Sequence, residues 1–307
     1  MYKSSRLNQF CVIILTLILV IVSLMGIFVP VNFMAVSQWF SPLVLIIGAL
    51  GLGVLMVFLI QVLQTLTTRQ IKFCKWILLG LLIILQIYIA FHFVDYGRAD
   101  SFYVRDQAYK LAHGNFAWKR YFEIYSNNVN IAIMYAGLIK LSMFFHLSTP
   151  WIMISIIQFI WLDLGLASAL FLLKKWHHEN LTPLLVLVWI FTIPFYAYAI
   201  YDYTDIWVLP VVLMVAAIWE FNFKHKLLKP ILLSLLMIFA AELKGNFWVL
   251  VIAFFITLGI QTIHQKQWKK IIKYFITFVI TFVLCTLGIK GLQNLTKYQK
   301  TLMKVFL

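Results

Sequence analysis

Charge is the scarcest property of this sequence. Of its 307 residues only 11% are charged, and just 10 are acidic. A typical soluble domain is about 25% charged, so there is too little polar side chain here to cover a water-facing surface. A soluble enzyme, a disordered chain and a coiled coil are excluded. Cysteine is scarce too. Cys11, Cys74 and Cys285 lie far apart, with neither metal-ligand spacing nor a disulfide framework. The sequence has no glycine-rich nucleotide loop, no nucleophile elbow and no aromatic-basic pattern for nucleic acid. It also lacks internal repeats and low-complexity tracts.

What the sequence has is apolar length: 64% of the residues are hydrophobic. A membrane span needs ~20 mostly apolar residues. Runs of that kind cover 10–31, 42–66, 76–94, 150–173, 182–200, 206–221, 229–243, 246–263 and 271–289. They are continuous, not alternating, which points to helices and not to a barrel. The first run is too long for a signal-peptide core and no small-residue cleavage site follows it, so it reads as a retained span. The expected fold is all-α and polytopic, with about nine transmembrane helices. One domain is expected over 1–290, followed by a basic amphipathic tail over 291–307.

The formal charge of +15 reports orientation. Lys and Arg collect in cytoplasmic loops. Lys3 and Arg6 place the N-terminus inside, and Arg69, Lys72 and Lys75 mark a second inner loop. If the apolar segment 129–147 crossed fully, Lys174–Lys175, Lys224–Lys229 and Lys266–Lys273 would all lie outside. If it dips in and returns, all three lie inside. The second count is preferred, which makes 129–147 re-entrant or half-crossing. Seven of the ten acids then share the outer face: Asp95, Asp100, Asp106, Glu123, Asp202, Asp205 and Glu242.

Four polar groups follow. In the outer loop 95–128, Ala108, Leu111 and Ala112 have the spacing of a short amphipathic helix on the membrane. Asp100 precedes it, either as a helix cap or as a general base toward an acceptor hydroxyl or amine. Asn127 and Asn128 either cap the helix beginning at Val129 or bind a hydroxyl-rich or phosphate ligand. Tyr203 and Asp205 lie in a hairpin between apolar runs. There Asp205 caps a helix, orients an acceptor or holds a metal. In Glu242-Leu-Lys244-Gly-Asn246, Lys244 pairs with Glu242 or meets a phosphate as a point charge. Arg98, Arg105, Lys119 and Arg120 are further phosphate candidates or headgroup contacts. Asp163, within an apolar run, is a functional candidate on its position alone, or pairs with Lys140.

The outer loop resembles that of the GT-C glycosyltransferases, multi-span enzymes that use polyprenyl-phosphate sugars and include protein mannosyltransferases and aminoarabinose transferases. Asp100, Ala108, Leu111 and Gly114 carry the likeness, and Asp100 falls on the family's catalytic aspartate. Tyr203-Thr204-Asp205 looks like the family's Leu-Thr-Asp. Tyr125-Ser126-Asn127-Asn128 resembles a Tyr-Pro-Asn-Asn element of the exosortase-associated membrane glycosyltransferases of Gram-positive bacteria, and the Lys244 segment is similar to a lysine motif there. The likeness covers about residues 76–263. Ser101 stands where many mannosyltransferases have Glu, and Ser126 where the other group has Pro.

The resemblance implies an inverting transferase in a bacterial plasma membrane with an extracytoplasmic active face. The donor would be a polyprenyl-phosphate sugar, the acceptor an envelope glycan, lipid or protein, and a divalent metal is optional. Asp100 and Asp205 would be catalytic. Asn127, Asn128, Lys244, Asn246, Arg105 and Tyr203 would bind substrate. Relatives commonly continue past Leu307, so a short or truncated member is expected. The alternatives are a lipid-linked sugar transporter using Asp163 and Lys140, and a non-catalytic membrane subunit.

Overall fold

The computed structural model describes residues 42–93, 99–147, 149–192 and 203–306, with Ile14 and Leu17 as isolated helical positions. These described residues are overwhelmingly helical and contain no strand. The predicted span 10–31 lies outside them, apart from those two positions. So do Asp95, Arg98, Asp202 and the second half of the predicted span 182–200.

The chain divides into two units, Met1–Leu66 and Thr67–Leu307. In the first, α1 (Pro42–Thr65) is apolar on every side, and only 6% of its span window is buried. A helix with no polar face suits lipid rather than water.

The second unit begins with α2 (Thr68–His92). Its start lies upstream of the predicted 76, because Thr67 and Gln70 form a reciprocal capping box. Next come α3 (Asp100–Ala112), the short α4 (Tyr121–Ile124), a 3-10 turn at Ser126–Asn128 and α5 (Val129–Phe144). The long α6 (Pro150–Lys175) follows, then α7 (Thr182–Phe191), α8 (Thr204–Val208), α9 (Val211–Glu220), α10 (Leu228–Leu243), α11 (Trp248–His264) and α12 (Trp268–Phe306). Among the described residues, five helical stretches are long and apolar enough to cross a membrane: Ile46–Thr65, Thr68–His92, Pro150–Lys175, Gly245–Ile263 and Trp268–Gly291.

The structure details three predicted segments. The run 206–221 is two helices, because Pro210 lacks the N–H that would continue the first one. The run 229–243 forms a 16-residue helix, ~24 Å long against a hydrocarbon core of ~30 Å. The last helix continues unbroken from Trp268 to Phe306, through the segment expected to be a separate tail.

The core lies where α3, α5, α6, α9 and α10 pack. Val104, Ile131, Tyr135, Ile154, Leu162, Leu233 and Met237 are fully buried there. A polar network runs through it. Gln158 and Trp207 both donate to the Tyr135 hydroxyl, at 2.9 and 3.0 Å, and the Trp161 indole donates to the Trp207 carbonyl at 2.6 Å. In hydrocarbon such groups have no water to fall back on, so the network locks the register of α5, α6 and α8. Gln86 on α2 donates to Asp163 on α6 at 2.9 Å, while Lys140 is exposed. The expected Asp163–Lys140 pair is therefore not made.

Among the described glycines, Gly165 makes the tightest approach to another segment. A Cβ there would sit 2.5 Å from the Pro210 Cβ and 3.2 Å from its Cα. The obstacle is a rigid ring and backbone, which cannot swing aside. Gly165→Ala should therefore lower thermal stability in detergent by ~1–3 kcal/mol, the usual cost of overpacking. Gly137→Ala, with nothing within 4 Å of its Cβ, should leave it level or slightly raised. Equal midpoints for the two variants would contradict this packing.

Candidate functional site

Four polar segments of the sequence meet at one place. Asp100 opens α3, Asn128 precedes α5, Tyr203 precedes α8, and Glu242-Leu-Lys244 closes α10. Capping does not account for them. None of α3, α5 or α8 receives a side-chain hydrogen bond at its N-cap, although all three begin at or beside these residues. The side chains are turned toward one another instead.

Three links form a closed ring. The Tyr203 hydroxyl lies 3.3 Å from Asn128 Oδ1. Lys244 forms an ion pair with Asp205. Asn130 Nδ2 donates to the Glu242 carbonyl at 3.1 Å and to its carboxylate at 3.2 Å. Each segment contributes two residues in an i, i+2 pair, one directed to each neighbour. The expected Glu242–Lys244 pair is not made, because residues two apart in a helical turn do not face each other.

Asp100 attaches to the ring through tyrosines. Tyr203 stands 3.4 Å from Asp100 Oδ2, and Tyr121 also hydrogen-bonds this carboxylate. Both Tyr203 distances exceed the ~2.7–2.8 Å typical of hydroxyl donors, and its single proton can serve only one of Asp100 and Asn128 at a time. Asn127 donates to Asn128 Oδ1 at 3.1 Å, and Asn128 donates to the Tyr121 oxygen at 2.5 Å. A directed chain of donors thus runs Asn127, Asn128, Tyr121, Asp100 and ends on the carboxylate. An ionised carboxylate has about four lone-pair sites, so Asp100 can still accept from an incoming hydroxyl. Ala99, just before it, has a φ of 47°, a strained value for a residue with a Cβ.

Sequence reasoning missed Tyr121 and Asn130, which complete the site. Other expected residues lie apart. Arg105 is 2% exposed, with its guanidinium 3.9 Å above the Trp151 ring, a buried clamp between α3 and α6. Asn246 is exposed in the turn after α10, outside the ring. Lys119 pairs with Asp106 at 2.7 Å and Lys110 with the same oxygen at 3.0 Å. Burial pushes the Asp106 carboxyl up, but the two ammonium groups outweigh it and hold it below the usual range.

No group of three or more His, Cys, Asp and Glu able to hold a metal occurs among the described residues. Asp205, the candidate metal ligand, is paired with the Lys244 ammonium. Beside the ring lies a cavity of about 750 Å³, walled almost entirely by apolar side chains such as Trp161, Trp207, Phe239 and Leu243, with Asn130 and Glu242 as its polar margin.

The two tyrosines are electrostatically coupled to the carboxylates. Burial, then the Asp100 interaction, holds Tyr121 well above the ordinary tyrosine range. Burial and the Asp100 and Asp205 charges push Tyr203 up to about 12, against the opposing Asn128 bond. With the folded value raised, the protonated hydroxyl's contribution to stability is complete below pH ~10 and is lost as pH rises through about 12. In an alkaline titration read by tyrosinate absorbance, wild type and Tyr203→Phe should coincide through the ordinary range and part only near pH 12. A difference centred near pH ~10 would contradict this environment.

No curated protein and no solved structure matches the chain. A family model described as a conserved hypothetical integral membrane protein matches residues 5–305, nearly the full length. The many apolar helices agree with that description, and the chain belongs to this family of integral membrane proteins.

Proposed function

We propose that the chain is a membrane-embedded glycosyltransferase of GT-C type, moving a sugar from a polyprenyl-phosphate carrier to an envelope acceptor on the extracytoplasmic side of a bacterial plasma membrane. The observation that carries this reading is the juxtaposition of a polar ring with an apolar cavity. An isoprenoid chain needs a long apolar bed, and its phosphate needs a cation beside it. The cavity of about 750 Å³ offers the first, and Lys244, two residues past Glu242 on the cavity's margin, offers the second.

In this mechanism Asp100 takes the proton from the acceptor hydroxyl. The acceptor oxygen forms the new bond to the sugar's anomeric carbon. The bond from that carbon to the carrier phosphate breaks, and its electron pair leaves with the phosphate. Attack opposite the leaving group inverts the centre. The departing phosphate draws Lys244 from Asp205, placing a positive charge where negative charge develops. Tyr203 and Tyr121 orient Asp100, and Asn128 fixes both tyrosines. No nucleotide takes part.

The half-crossing of 129–147 belongs to the same reading. α5 begins at the ring. α6 starts shortly after α5 ends, runs ~39 Å over its 26 residues, and finishes at Lys175, close enough to Lys229 to repel it. Lys229 lies at the end of α10 opposite the ring. On this reading α5 enters and leaves on one side, and the three basic loops share the other.

Purified protein should transfer radiolabel from a polyprenyl-phosphate sugar to crude envelope acceptors. Asp100→Asn should reduce the rate by ~10²–10⁴, the range for loss of a general base, with donor binding retained. Transfer that survives this substitution would remove the mechanism. Sugar-lipid movement across liposomes without transfer would favour a transporter.

A further inference from the structure

The two basic loops 224–229 and 266–273 do more than share an end of the bundle. The α9–α10 turn and the start of α12 close on each other to form a cleft of about 580 Å³ lined by His225, Lys226, Lys229, Lys269, Lys270 and Lys273. No carboxylate lines it among the described residues. Glu220 attracts Lys229 from outside, whereas Lys270 and Lys175 repel it. Like charges held this close are costly in the absence of a counter-ion.

The lysines are also held in place. Lys229 Nζ donates to the Trp219 carbonyl at 2.7 Å, and Lys273 Nζ donates to the Lys226 carbonyl at 2.6 Å. Lys270 lies 5.0 Å from the Trp219 ring centroid. Lys229, Lys270 and Lys273 are half-buried, and Tyr274 is buried behind them. Freely solvated lysines would spread apart. Here two are tied to carbonyls of the α9–α10 segment, one of them from α12, with donor capacity left over on each ammonium. The cleft opens at the foot of a stretch apolar enough to span a membrane, Trp268–Gly291, which is the depth of lipid headgroups.

We propose that this cleft binds the phosphate of an anionic lipid, with Lys229, Lys270 and Lys273 as the phosphate-contacting residues and Phe223 and Tyr274 as its aromatic wall. The site is separate from the ring. Lys229 and Glu242 stand near opposite ends of α10, ~20 Å apart along the helix, so the assignment does not rest on the proposed transfer reaction.

The full chain, purified in detergent, is titrated with phosphatidic acid, phosphatidylcholine and inorganic phosphate, and bound lipid is read by native mass spectrometry. Wild type should retain phosphatidic acid and not phosphatidylcholine, with retention falling as salt is raised. Lys229→Gln, Lys270→Gln and Lys273→Gln combined should weaken retention at least about tenfold, in keeping with the contribution of each lysine near an anionic surface. The matching Lys→Arg triple should keep it, as should Lys72→Gln, whose side chain does not line the cleft. The Arg triple separates loss of charge from loss of fold. Unchanged retention in the Gln triple, equal retention of phosphatidylcholine, or displacement of the lipid by equimolar inorganic phosphate would overturn the assignment.

Discussion

The architecture of the site depends on one constraint: polar groups set among apolar helices must satisfy one another. The ring of Asn128–Tyr203, Asp205–Lys244 and Glu242–Asn130 meets that constraint with three links between three chain segments. Each segment is held by both others, so no helix end can drift without leaving a charge or an amide unpartnered. Asp100 inherits its position from the ring through Tyr203 and Tyr121. The apolar cavity also depends on it, because Trp161 and Trp207, in its wall, are fixed by the Tyr135 network one turn below.

α10 ties the two ends of the bundle together. It begins at Lys229 in the basic cleft and ends at Glu242 in the ring. Both ends carry polar chemistry, but of different balance. At the ring, carboxylates and amides alternate with a single ammonium. At the cleft, ammonium groups gather without a lining carboxylate. The cleft thus gathers five lysines with no lining acid, while the ring sets one ammonium against three carboxylates.

Much of the site was legible because polar residues are conspicuous in an apolar sequence. Asp100, Asn128, Tyr203, Asp205, Glu242 and Lys244 all interrupt or flank apolar runs, and the structure gathers all six. Partner choice was less legible. Lys244 pairs with Asp205 and not with its near neighbour Glu242, and Asp163 meets Gln86 and not Lys140. Both outcomes turn on which face a side chain leaves, and spacing alone does not give that across helices. Tyr121 was hidden among aromatics that resemble an interfacial belt, and Asn130 within an apolar run. Helix lengths failed for a similar reason. Hydropathy marked 206–221 as one span, but Pro210 divides it and brings its backbone against Gly165.

The ring is the central claim, and a charge-swap cycle at Asp205 and Lys244 tests it most directly. Thermal stability would be measured for Asp205→Lys, Lys244→Asp and the double swap. Both groups are partly exposed, so each single swap should cost more than the ~1 kcal/mol of a surface pair and less than the ~3–5 kcal/mol of a fully buried one. The double swap should recover most of that loss, because it restores opposite charges across the same link. Losses that simply add in the double variant would show that the two residues do not meet, and the closed ring would fail with them.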